Sequence, residues 1–295
     1  MRRNVLMSLL SKKIDFMVVL EVKGANPNGD PLNGNMPRED YNGYGEISDV
    51  CIKRKIRNRL QDNGKEIFVK SNDRSDDGFL SLQKRYENVF GTGKEEKKFA
   101  DKDISKMACE KWMDVRSFGQ VMTFNSRSIG IRGPVSISLA KSIDPIDIRS
   151  IQITRSTNGQ ETDGKKASDT MGTKHFVEYG VYIVKGSINT FFAEKTGFSD
   201  GDAEDIKEAL RTLFVNDVSS ARPDGSMVVK NIYWVTHKSK TGDVSSSKIH
   251  DLIEFSLKDG IDIPHKFDDY MIGLNEKTMK EYREKGVNAE IIEGI

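Results

Sequence analysis

Lys53, Arg54, Lys55, Arg57 and Arg59 are the densest set of side chains able to hold a ligand by charge. On a helix, Lys53 and Arg57 stand one turn apart on a common side, with Arg54 adjacent. Cations so spaced suit phosphate groups, and a helix start adds partial positive charge. A solvated basic face accounts for the same pattern. Just upstream lies Asn26-Pro27-Asn28-Gly29-Asp30-Pro31, continuing to Asn33-Gly34-Asn35-Met36-Pro37-Arg38. Its glycines let backbone approach a ligand closely, and successive exposed amides can cradle an anion. An ordinary turn, with Asn side chains bonding their own backbone, explains this loop too. Because loop and helix are contiguous, Asn28, Arg38, Ser48, Lys53, Arg54 and Arg57 are candidates for one groove that tracks a nucleic-acid backbone.

Two further segments carry similar chemistry. Asp114–Met122 combines Arg116, Gln120 and Met122 with Phe118, and leads on to Arg127 and Arg132. It offers cations for phosphates while Phe118 or Met122 packs on a base. The alternative is a strand edge with a buried Phe, because Phe and Met favour cores. Asn158–Gly172 has hardly any apolar residues, so it cannot build a core and is expected to project as an arm. From Arg155 to Phe176 this region carries Lys165, Lys166, Met171, Lys174 and His175. A Met at such a tip can wedge between bases; a plain surface loop is the alternative.

Signals of catalysis are poor. His175, His237, His250 and His265 show no metal-ligand spacing with one another or with Cys51 and Cys109. Asp73, Asp76, Asp77 and Gly78 resemble the start of a calcium loop, but Lys84 occupies the place of its bidentate Glu. No phosphate-binding Walker loop, dinucleotide fingerprint or nucleophile elbow is present. The RNA-recognition consensus of Lys/Arg-Gly-Phe is absent too, which argues against a conventional base-stacking sheet. No catalytic residue, metal or cofactor is therefore expected.

The elements that must position these residues follow from periodicity. Ile14–Val22 is apolar on both faces and reads as a central strand. Gly24–Tyr44 reads as a loop. Ser48 or Asp49 caps a helix whose stripe Ile52, Ile56 and Leu60 is buried and which Asn63-Gly64 ends. The stretch 65–113 is polar and irregular, with helices near Leu80–Phe90 and Ile104–Trp112, and reads as an insertion. Ile131–Leu139 alternates as a strand, Val177–Ile188 and Met227–Val235 are strands, and Ala203–Val215 is an amphipathic helix. A helix is expected near Glu276–Glu284. The order strand, helix, strand, strand, helix, strand is that of a ferredoxin-like or RNA-recognition fold, in the α+β class. We read 1–295 as one domain, with insertions at 65–113 and 155–176 and a C-terminal region at 250–295.

Composition bounds the rest. Lys+Arg numbers 46 and Asp+Glu 45 in 295 residues, so the basic segments must act locally, within a screening length of about 10 Å. The stretch Asp251–Glu293 is mostly acidic, and a basic site opposite an acidic surface suits head-to-tail stacking of copies. Two unpatterned cysteines give no disulfide framework. No signal peptide or membrane-length apolar run is evident, so a soluble, cytoplasmic protein with no membrane partner is expected.

Taken in order, these segments resemble a known family. Asn26–Arg38, Ile52–Arg57, Asp114–Met122, Gly133-Pro134-Val135-Ser136, Ser150–Ser156 and Ser168–His175 are similar to the backbone subunit of the type I-C Cascade, the Cas-seven or Csd-two family of the RAMP superfamily. The resemblance runs from about Ile14 to His237. It implies a modified RNA-recognition palm with a helical fingers insertion and a flexible thumb arm. It also implies a non-catalytic protein that polymerises along guide RNA (crRNA) and presents it for pairing with target DNA. Partners would be crRNA, the target DNA strand through the guide, further copies head-to-tail, the guide-processing cap subunit and the large subunit. Ser48, Lys53, Arg54 and Arg57 resemble the phosphate-gripping helix, Arg116, Gln120 and Met122 the RNA-lining segment, and Met171, His175 and Phe176 the thumb's return. Two alternatives stay open. One is a metal-dependent endoribonuclease of the type III backbone kind, with Asp30 and Asp169 as candidates; the other is a generic single-stranded RNA-binding protein.

Overall fold

The computed structural model describes residues 8–154 and 171–295. In chain order, β1 (Ile14–Ala25) is followed by three short strands, β2 (Gly29–Asp30), β3 (Met36–Glu39) and β4 (Tyr44–Ile47). Next come α1 (Asp49–Asp62), α2 (Leu82–Phe90), α3 (Asp101–Lys111) and α4 (Met113–Phe118). A hairpin of β5 (Gly119–Met122) and β6 (Ile129–Arg132) leads to β7 (Val135–Ile137), β8 (Ala140–Pro145) and β9 (Ile148–Thr154). The long β10 (Met171–Ile188), α5 (Thr190–Thr196), α6 (Asp200–Arg211) and β11 (Met227–Thr236) follow. The chain closes with α7 (Ser246–His250), β12 (Ile253–Leu257), β13 (Tyr270–Leu274), α8 (Glu276–Glu284) and β14 (Asn288–Glu293).

The main sheet is ordered β14-β11-β1-β10-β8-β4-β3-β2, with β7 and β9 also paired to β10. β1 lies antiparallel to both β10 and β11. Its continuous apolar run follows from burial on two sides. Phe16, Val18, Leu20 and Val22 pack under Ile52, Ile56 and Leu60 of α1 and Ala203, Ile206 and Leu210 of α6. Met17 and Val19 face the other way, with Val181, Ile183, Tyr233 and Val235, and are covered by Ile249, Leu252, Tyr270, Met279 and Tyr282. The acidic C-terminal region is thus a lid over the sheet face that lies away from α1 and α6. The insertion has a third core, in which Phe68, Tyr86, Phe90, Ile104 and Trp112 meet Val115, Met122 and Ile129.

Several sequence expectations are corrected. Gly24–Tyr44 is not a plain loop: β2, β3 and β4 extend the sheet edge, joined by turns in which Gly34 and Asn35 have φ of 56° and 60°. Ile131–Leu139 is not one strand, because Pro134 lacks the N–H a ladder needs, and β6 and β7 join different sheets. The segment after Trp112 is the helix α4 before it is a strand. It turns at Gly119, whose φ is 77°, against Gly133, where a Cβ would meet Ser117 O at 2.3 Å. β10 begins at Met171, six residues before the expected strand.

Candidate nucleic-acid interface

The site is built at the end of the sheet where β1 finishes. Ala25 pairs with Val177, and Val177 pairs with Ile148, so the segment after β1 leaves the sheet beside the ribbon of β9 and β10. Asn26 is buried, and its Nδ2 donates to Asn35 O at 2.7 Å, closing the turn. Gly29 leaves room for the Asn35 side chain, since a Cβ would sit 2.1 Å from Asn35 Oδ1 and force that amide to shift. Asn28 Oδ1 accepts from Ser48 N at 2.8 Å, which fastens this segment to the start of α1. Arg38 donates to Asn28 O through its backbone N–H and to Asp30 through Nη2 at 3.3 Å.

Ser48 is the N-cap of α1, its Oγ accepting from Cys51 N at 3.2 Å. The cations of α1 divide between two flanks. Lys53 is held by Asp49 at 2.9 Å and remains 25% exposed. One turn on, Arg57 is only 13% exposed and its Nε donates to Asp114 at 2.9 Å. Asp114 is wholly buried and also accepts from Phe68 N and Val69 N, so Arg57 ties α1 to α4 and the insertion. Its guanidinium also lies 5.1 Å from the Phe118 ring centre. Arg57 therefore has an internal structural role, which the sequence did not show. Arg54 is 61% exposed, with Asp73 at 3.7 Å.

β9 and β10 form the ribbon, paired from Arg149–Phe176 out to Thr154–Met171. Opposed residues share a face. Ser150, Gln152, Met171, Thr173 and His175 line one side; Arg149, Ile151, Ile153, Lys174 and Phe176 line the other. Met171, Ile151 and Ile153 are 65%, 39% and 49% exposed. The Ser150 hydroxyl and His175 Nδ1 are 2.7 Å apart. The ribbon was not legible in the sequence, because its strands have no buried face to impose a period. Arg155, Lys165 and Lys166, with Asp169, lie outside the described residues.

The segment expected to line RNA is mostly engaged internally. Met122 is 1% exposed and belongs to the insertion's core, as its apolar bulk dictates. Arg116 grips Asp202 through Nε at 3.0 Å and Nη2 at 2.7 Å, and Cys109 O through Nη1 at 2.6 Å. Burial raises the pKa of the Asp202 carboxyl, but Arg116 and the Ser199 bonds leave it below the ordinary value. Arg127 bonds Asp101 at 2.6 Å and Glu96 O at 3.2 Å. Arg116 and Arg127 are thus held by internal acids and carbonyls and Met122 by the core, contacts that the sequence alone did not show. Gln120 stays half-buried on β5, with Nε2 donating to Val121 O at 3.0 Å. Sequence reasoning missed the buried acids Asp114 and Asp202, because each lies far along the chain from the arginine it pairs with.

The arrangement brings Asn28, Ser48, Lys53, Arg54, His175 and Phe176 toward one end of the sheet and leaves Gln120 and Arg127 with the insertion. It offers cations, backbone amides and a ribbon of apolar side chains, a set that holds an anionic chain without reading its sequence. Among the described residues, no group of three or more His, Cys, Asp and Glu could hold a metal ion. Among them, too, no helix is long and apolar enough to cross a membrane.

A profile of the family described as CRISPR-associated protein Cas7 matches residues 12–275. A protein of Haloferax volcanii (strain DS2) with the same description is 25% identical over 224 residues, and the chain spans 65% of that relative's length and 70% of its own. A chain from a solved "CRISPR RNA-guided surveillance complex, pre-nicking" superposes with a TM-score of 0.53 at 14% identity, over 92% of this chain and 87% of that one. A chain from another "CRISPR RNA-guided surveillance complex" gives a TM-score of 0.45 at 14% identity, over 92% and 80%.

Proposed function

The chain belongs to the CRISPR-associated Cas7 family, and from that premise we propose that it is a non-catalytic backbone subunit that polymerises along crRNA in a type I-C Cascade. It presents the guide for pairing with target DNA. The observation that carries this reading is the shared exit of the segment after β1, the start of α1 and the β9–β10 ribbon at one end of the sheet. The order β11-β1-β10-β7 and β8, with α1 and α6 in the two crossovers, supports a modified RNA-recognition palm. The separate core of the insertion supports fingers at 65–113, and the ribbon supports a thumb at 155–176. RNA-binding residues in this reading are Asn28, Arg38, Ser48, Lys53, Arg54, Lys174, His175, Phe176 and Met171, with Arg155, Lys165 and Lys166 on the arm. Partners are further copies, the cap and large subunits, and the target strand through the guide. Sequence reading falls to base pairing, so phosphate contacts suffice.

The test is binding to a single-stranded RNA of about 40 nucleotides without added metal. Each phosphate contact adds about 0.7 to the salt slope for single strands. Lys53→Ala should lower the slope by about that amount with little dependence on sequence, and footprinting should show a periodic pattern without cleavage. An unchanged slope in Lys53→Ala would sink the groove, and aperiodic protection would sink the filament.

A further inference from the structure

The flank of α1 that turns away from Asp114 forms one wall of a second cleft, of about 330 Å³. Three separate segments enclose it: α1 itself, Asp73 and Arg74 from the insertion, and residues 216–222 after α6. Arg54, Lys55, Arg74 and Arg222 line it against two carboxylates, Asp73 and Asp217. Arg54 is paired with Asp73 and Arg74 with Asp62, just outside the lining, at 2.6 Å, so Lys55 and Arg222, which share Asp217, leave a surplus of one positive charge. Lys55 is 4% exposed and ion-paired with Asp217, and the same Asp217 oxygen accepts from Arg222 Nε at 3.0 Å. One carboxylate thus serves two cations. Burial pulls the Lys55 ammonium below its ordinary pKa despite that partner. Ser219 Oγ, also on the lining, is buried and, among the described residues, has no hydrogen-bond partner. Among the described residues, Val218 is the only large apolar side chain on the wall and no aromatic joins it, so these residues give a base nothing to stack on.

We propose that this cleft is a phosphate-binding site, formed by Arg54, Lys55, Arg74, Arg222 and Ser219, that clamps the insertion onto α1 when occupied. It goes beyond the guide-RNA reading and does not rest on it. A phosphate would supply the missing counter-charge for Lys55 and Arg222 and an acceptor for the Ser219 hydroxyl. The source is a nucleic-acid backbone or a free polyphosphate, which share this chemistry.

The test is titration calorimetry of the full chain with inorganic tripolyphosphate at low salt. Arg222→Gln leaves the Lys55–Asp217 pair in place, and Asn58→Asp adds a negative charge on the α1 wall. Both should weaken binding about tenfold or more, the loss expected when a charge-assisted contact goes. Arg54 belongs to both sites, so the discriminating variant is Lys53→Ala, on the other flank, which should bind tripolyphosphate as the wild type does. Circular dichroism melts establish that the variants fold. Competition with a 12-nucleotide RNA then identifies the source: displacement means a nucleic-acid backbone, and simultaneous binding means a free anion. Wild-type affinity in both cleft variants, or no binding by the wild type at millimolar tripolyphosphate, overturns the proposal.

Discussion

In an Arg116→Ala variant, Asp202 loses the guanidinium that meets both of its oxygens, at 3.0 and 2.7 Å. The carboxylate is 8% exposed, so water cannot replace the lost partner. Removing one member of a buried pair costs about 3–5 kcal/mol. Arg116 is 18% exposed, which favours the low end, about 3 kcal/mol. Folded chains have a margin of only about 5–15 kcal/mol. At about 2–4 °C per kcal/mol for a chain somewhat shorter than this one, the midpoint should fall by about 6–12 °C. The assay pairs a circular dichroism melt with RNA-binding anisotropy well below the midpoint. The expected result is a lower midpoint with an unchanged salt slope. The double variant Arg116→Ala/Asp202→Asn should recover part of the loss, because it removes the stranded charge. A midpoint within about 2 °C of wild type, with a salt slope lower by about 0.7, would mean that Arg116 contacts phosphate and that its bond to Asp202 is incidental.

Met122→Ala should cost about 2–5 kcal/mol, the usual price of a buried Met truncation, and lower the urea midpoint without changing RNA affinity in the folded protein. An affinity loss at unchanged stability would return Met122 to the RNA side. Asp15 feels burial upward, but His237, Ser246 and Lys13 bring its carboxyl below the ordinary value, as Arg116 does for Asp202. A carboxyl lowered in the folded state adds stability above its unfolded pKa of about 3.9 and loses it as pH falls through the folded value. Urea midpoints should therefore drop between about pH 5 and pH 3, whereas a rise over that window would contradict both pairings. Burial pushes the Cys109 thiol up to about 11 and raises Cys51 as well. Neither should react with a thiol reagent at neutral pH until urea unfolds the chain; fast native labelling of Cys109 would refute the packing of the insertion.

How far the sequence foretold this structure depends on whether an element has one buried face. α1 was readable from Ser48 to Asn63-Gly64, because Ile52, Ile56 and Leu60 repeat at helical spacing between a cap and a stop. α8 was found at Glu276–Glu284, where Met279 and Tyr282 are buried one turn apart. β1 was readable as central because both of its faces are apolar. β12, β13 and β14 were missed, since each has five or six residues and exposes much of one face. Among site residues, the basic types along α1 were visible, but their partners were not. Asp114 is 57 residues from Arg57 and Asp202 is 86 from Arg116, and nothing local signals a pair that only folding makes. Composition therefore identified cations and could not separate those left largely exposed, such as Arg54, from those in a buried pair, such as Arg116.

The lid over the second sheet face narrows what the main sheet can do. A base-stacking sheet needs an open face with aromatic side chains on it. Here the face opposite α1 and α6 carries Met17, Val19, Val181, Ile183, Tyr233 and Val235, all buried under the C-terminal region. Uncovering that face to admit bases would expose a contiguous apolar surface, at about 25 cal/mol for each Å². His237, directly after β11, has Nε2 2.8 Å from the buried Asp15 of β1 and Nδ1 accepting from Asp243 N at 2.9 Å, which ties the chain leading into the lid to the sheet. In the proposed reading, RNA therefore uses the sheet's end, because its second face is covered. That end has what a single strand requires: Lys53 and Arg54 for phosphates, and a ribbon with Ile151, Ile153 and Met171 exposed for apolar contact. Such a site leaves base edges unread by side chains, and a protein that accepts any guide sequence needs that property.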